Sequence, residues 1–89
     1  MKVRKKPVIV DAFQWPSNEN LPDWALDALR TGKIIQTLHP YKPNTSVLAV
    51  QTLEGTIYAQ ENDWIIKGVN DEIYPCKPDV FQKTYEMVE

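Results

Sequence analysis

Apolar and polar positions along this chain change period several times, and each change marks an element. Val8-Ile9-Val10-Asp11-Ala12-Phe13-Gln14-Trp15 is rich in β-branched and aromatic residues. Val8, Val10, Ala12 and Gln14 fall on one side of an extended strand and Ile9, Asp11, Phe13 and Trp15 on the other. Apolar residues on both sides predict a central strand with both faces at least partly covered. Pro16 to Asn20 is a loop by composition. Leu21, Trp24, Ala25, Ala28 and Leu29 then follow the i, i+3, i+4, i+7, i+8 spacing of a single helical stripe, predicting an amphipathic helix over about 21–31. Asn20 is available to cap its start, Pro22 suits the first turn, and Gly32 suits the left-handed position after its end. So short a helix is marginal in water and must lie on a sheet, with Trp24 as its anchor.

Lys33 to Leu38 reads as a second strand. His39-Pro40-Tyr41-Lys42-Pro43-Asn44-Thr45 reads as a polar loop stiffened by two prolines. Ser46–Leu53 and Thr56–Gln60 form a hairpin turning at Glu54-Gly55. The unbroken run Val47-Leu48-Ala49-Val50 predicts burial on both faces. Trp64-Ile65-Ile66 and Ile73-Tyr74 form a second hairpin around Val69-Asn70-Asp71-Glu72, and Gly68 signals a bulge or a close approach. Pro75 and Pro78 confine their segment to a sheet edge or put it outside the sheet. Pro78-Asp79 opens a helical turn, after which the alternation Lys83, Tyr85, Met87 predicts a closing strand, with a helix as the competitor. The expected fold is α+β: one compact domain over 1–89, a curved and mostly antiparallel sheet with one helix packed on it, and a basic arm over 1–6.

Composition narrows the function classes. The chain has 89 residues, a formal net charge of -2 and a single cysteine. It holds no apolar run of the ~20 residues a membrane span needs. An internal disulfide is impossible, and a cytoplasmic location without a signal peptide is expected. The basic residues Lys2, Arg4, Lys5 and Lys6 cluster at one end of an otherwise acidic chain. They are the candidate nucleic-acid contacts, set against the plainer reading of a solvated arm or a protected strand edge.

From both ends the chain resembles a family of small uncharacterised proteins encoded by phages and prophages. The resemblance rests on Lys5 to Trp15, on Thr52-Leu53-Glu54-Gly55, on Asp63-Trp64-Ile65-Ile66-Lys67-Gly68-Val69, and on the tail Tyr74-Pro75-Cys76-Lys77-Pro78-Asp79-Val80-Phe81-Gln82-Lys83-Thr84-Tyr85-Glu86. It covers nearly everything except residues 16–46. Asn62 stands where that family usually has glycine, and Asn70-Asp71 replaces a glycine-containing turn, a substitution that asparagine's tolerance of positive φ allows. The resemblance implies an accessory role outside the virion and provides no catalytic residues.

Direct chemical candidates are few. Cys76 and His39 are the only obvious nucleophile and base, with no recognisable third component; their plain reading is a partly buried thiol and a surface imidazole. One Cys and one His cannot make a structural zinc site, and no phosphate loop or calcium loop is present. No cofactor and no metal are expected. Aromatics are the richer signal: Trp15, Tyr41, Tyr58, Trp64, Tyr74 and Tyr85 serve either as core or as interface anchors. The leading expectation is a non-catalytic binder of a host protein, an inhibitor of host defence by analogy alone. The alternative is a binder of a nucleotide-like signal, as a homo-oligomer, through Trp64, Tyr74 and Tyr58 with Lys67 and Lys77 at the rim.

Overall fold

A computed structural model describes residues 1–4, 6–17 and 19–88. Lys5 of the basic arm and Asn18 of the loop before the helix lie outside the described residues. The elements in chain order are β1 (Asp11–Gln14), α1 (Asp23–Thr31), β2 (Ile34–Leu38), β3 (Ser46–Thr52), β4 (Gly55–Ala59), β5 (Trp64–Lys67), β6 (Ile73–Cys76) and α2 (Pro78–Thr84). The class is α+β, and every strand pairing is antiparallel.

Three features of the expected layout are corrected. The strands form two three-stranded sheets, β1-β5-β6 and β2-β3-β4, in place of one curved sheet, and a second helix joins the first. The first strand is an edge: it begins only at Asp11, and Val8 and Ile9 are exposed, so its apolar start does not mark a central position. The tail from 78 is a helix that ends at Tyr85 in extended backbone, and residues 85–88 join no sheet. Helical spacing of Phe81 and Tyr85 outweighs the alternation there because both rings find partners on the same sheet face.

Other expectations hold for the reasons given. α1 ends at Gly32, whose φ of 84° is the left-handed cap position. Its start differs: Pro22 is the N-cap, and no side chain caps it. Ala25 and Ala28 are buried and Trp24 packs on Phe13 with ring centroids 5.5 Å apart, whereas Leu29 lies at the exposed margin of the stripe. β3 is the centre of its sheet and Val47 to Val50 are all buried, as the continuous run requires. β6 is an edge strand that contains Pro75.

Register assigns the two faces of the β1-β5-β6 sheet. Phe13, Ile65 and Pro75 lie abreast, as do Asp11, Lys67 and Ile73; Gln14, Trp64 and Cys76, and Ala12, Ile66 and Tyr74, occupy the other face. Phe13, Ile65 and Ile73 join Ala25 and Ala28 of α1 and Ile34, Leu48, Val50 and Ala59 of the second sheet in one core. α1 therefore closes one face of the first sheet, and α2 closes the other through its rings.

Among the described residues, three other than glycine carry positive φ, and two of them lie at the turns flanking β5. Asn62 has φ 76° and Asp71 φ 63°, so the non-glycine residues at these turns adopt the left-handed conformation. Gly68 sits at a close approach: a Cβ there would meet the Glu72 side chain and displace its carboxylate, which accepts from the Asn70 backbone N–H at 2.9 Å.

Candidate functional site

Trp64 stands at the start of β5 with its ring stacked on Phe81, centroids 4.0 Å apart and planes within 5°. Phe81 reaches this position because Pro78 starts α2 directly after β6, which places the fourth helical residue over the sheet. Tyr85, one turn later, extends the stack at 5.1 Å. The Tyr85 and Tyr74 hydroxyls share a hydrogen bond of 3.1 Å, linking four aromatic side chains in series. Burial and this hydroxyl partner raise the Tyr74 phenol well above its ordinary range, because both favour the neutral form.

Asp63, next to Trp64 in the chain, is 3% exposed and its Oδ2 accepts from Lys77 Nζ and from the Gln60 backbone N–H, each at 2.9 Å. The Asp63 carbonyl also accepts from the Trp15 N–H at 2.8 Å. Asp63 thus joins β1, the β4–β5 turn and the entry to α2. Lys77 completes that joint and leaves more than half of its side chain in solvent.

The candidate residues fall into three places. Trp64, Tyr74 and Lys77 come together around α2. Lys67 is on the opposite face of β5, paired with Asp71 at 3.4 Å, where it lines a groove of about 320 Å³ with Trp24, Lys33 and Ile73. Tyr58 is on the second sheet, its ring 5.6 Å from His39. Strand parity contained part of this result, since residues three apart on one strand point to opposite faces. The covering of Trp64 by Phe81 was not readable, because it depends on where α2 lands.

His39 and Cys76 have separate surroundings. The His39 imidazole lies between Tyr41 and Tyr58, and its Nδ1 accepts from the Tyr41 backbone N–H at 3.0 Å. The groups bearing on Cys76 are carboxylates: burial first, then Asp63 and Asp79, push its thiol up. That direction lowers the thiolate fraction on which cysteine nucleophilicity depends. Among the described residues no group of three or more His, Cys, Asp or Glu is placed to hold a metal ion. Lys2, Arg4 and Lys6 are exposed.

One of the six aromatics, not among the residues expected to contact a ligand, stands out. Tyr41 is 88% exposed, the most exposed aromatic side chain among the described residues. Its loop is held from several sides. The His39 N–H donates to the Thr45 carbonyl at 2.8 Å, Lys42 Nζ donates to Gln60 Oε1 at 3.0 Å, and Asn44 takes a left-handed φ of 57°. Prolines at 40 and 43 stiffen it further. The sequence signal was present in two prolines flanking a tyrosine.

Against protein-family models, curated proteins and solved structures, the chain has no match. Among the described residues no helix is long and apolar enough to cross a membrane.

Proposed function

We propose that this chain is a non-catalytic binding protein that engages a protein partner through the Tyr41 loop. The observation that supports this reading is a large aromatic side chain, 88% exposed, on a loop already ordered by its own hydrogen bonds. A preorganised aromatic anchor loses little conformational entropy on docking, and tyrosine is among the residues that dominate binding energy at interfaces. The other aromatics favour the same surface by subtraction, since Trp64, Phe81, Tyr85 and Tyr74 are engaged with one another. The resemblance to small phage and prophage proteins directs the search for that partner to the bacterial host. Inhibition of a host defence factor is the form suggested by genomic analogy alone.

The test is capture from host lysate with the tagged protein and its Tyr41→Ala variant. The expected outcome is a host protein retained by the parent and lost with the variant, with affinity reduced by about 2 kcal/mol, roughly thirtyfold. Equal retention by both would end this assignment of the surface.

A second reading has its own observation. Trp24, Lys33 and Lys67 line the same groove of about 320 Å³ together with Asp27 and Asp71, so an indole faces a ligand there, and an anionic, nucleotide-like group would have to take Lys67 from its pairing with Asp71. Here a melting curve against a nucleotide panel is decisive: a concentration-dependent rise that Lys67→Ala removes would favour it over the protein partner.

A further inference from the structure

The edge of the second sheet is the least protected feature of the molecule. β2 is an outer strand, and its five residues, Ile-Ile-Gln-Thr-Leu, include no charge, no proline and no glycine. Its pairing with β3 runs without a bulge from Ile34↔Val50 to Leu38↔Ser46. Proteins ordinarily blunt such an edge with lysine, proline, a bulge or a short length. The other edges here follow that rule: β6 contains Pro75, β1 is four residues long and carries Asp11, and β4 is approached by β6.

Hydrogen-bond parity identifies what this edge presents. The Lys33 carbonyl accepts from the Gln51 N–H at 2.9 Å, and the His39 N–H donates to the Thr45 carbonyl at 2.8 Å. Residues 33, 35, 37 and 39 therefore turn their main-chain groups toward β3, and Ile34, Gln36 and Leu38 turn theirs outward. Among the described residues, those outward groups have no backbone partner. On either side of the same edge Ile35 is 46% and Leu38 62% exposed.

We propose that β2 pairs antiparallel with β2 of a second copy of this chain, about a two-fold axis through Gln36, to form a continuous six-stranded sheet. The strand is self-complementary in this register. Gln36 meets Gln36 of the second copy, and Ile34 meets Leu38 of the second copy, so outward-facing residues lie opposite outward-facing residues. About six main-chain hydrogen bonds result. Charge is compatible as well: no like charges oppose each other within the strand, and Lys33 comes opposite His39 of the second copy, away from the other Lys33. Leu38, exposed in one chain, is covered by Ile34 and its surroundings in the other. This pairing does not depend on the Tyr41 reading. It would display two Tyr41 loops, one beside each end of the shared strand pair.

The register makes a charge-swap test possible. Sedimentation velocity should find the parent protein dimeric. Gln36→Lys and Gln36→Glu each place like charges against each other on the axis and should give monomers with unchanged circular dichroism. Equimolar mixing of the two variants should restore the dimer, since opposite charges then meet. Amides of Ile34, Gln36 and Leu38 should also gain hydrogen-exchange protection as the parent's concentration rises. A parent that stays monomeric into the high micromolar range overturns the proposal. So do charged variants that remain dimeric, or a mixture that stays monomeric.

Discussion

The two sheets are equal in strand number and opposite in how they meet their surroundings. The β1-β5-β6 sheet is covered on one face by α1 and the core, and on the other by the Trp64–Phe81–Tyr85 stack from α2. Its aromatic side chains are committed to one another. The β2-β3-β4 sheet buries its centre, Val47 to Val50, and leaves Ile35 and Leu38 of its β2 edge, and Tyr41 of the following loop, in solvent. The difference teaches that aromatic density along the chain is a poor guide to a binding surface. The richest aromatic stretch builds the second layer of the fold, and the sparser one supplies the accessible ring.

The comparison is sharpest at two isoleucines. Ile65, fully buried in β5, should lose about 2–5 kcal/mol when changed to alanine. Ile35, 46% exposed in β2, should change monomer stability by only about 0.5 kcal/mol on the same substitution. Chemical denaturation of both variants at a concentration that keeps them monomeric reads the contrast; equal losses would mean that the two sheets are covered alike. Phe81→Ala comes next, at about 3 kcal/mol, because it removes the ring that attaches α2 to the sheet. Its signature beyond stability is a red shift of tryptophan emission as Trp64 is uncovered, and an unshifted spectrum would mean that Trp64 is held by something other than α2.

Asp63→Ala should cost about 2 kcal/mol. It strips the Gln60 N–H and the Lys77 ammonium of a shared acceptor, and the exposure of Lys77 keeps the loss below that of a fully buried pair. Lys77→Ala should cost less than Asp63→Ala in the same assay, since it leaves Asp63 one of its two partners. The reverse order would show that the ion pair, not the turn, dominates this joint.

The smallest effect is at Tyr74. Its phenol is raised by burial and by Tyr85, so the folded chain stays protonated at a pH where the unfolded chain has begun to ionise. The stabilisation is complete below about pH 10, the unfolded tyrosine value, and declines as pH rises above it. Tyr74→Phe should cost about 1 kcal/mol at neutral pH and flatten the alkaline decline. A decline of unchanged slope would assign it to another group.

Local chemistry determined a good deal of this protein from the sequence alone. The spacing of Trp24, Ala25 and Ala28 specified a helix and its inner face, Gly32 specified its end, and the run Val47 to Val50 specified a central strand. Pro75 marked an edge, and asparagine at 62 was compatible with the positive φ observed there. Each of these depends on residues a few positions apart, where backbone sterics and side-chain period act directly. Tertiary structure decided the rest. The division into two sheets, the landing of Phe81 on Trp64, the joint at Asp63 and the bare edge of β2 all depend on pairings between distant segments. Many such pairings are compatible with one local pattern, and the burial each achieves is known only when the whole chain has packed.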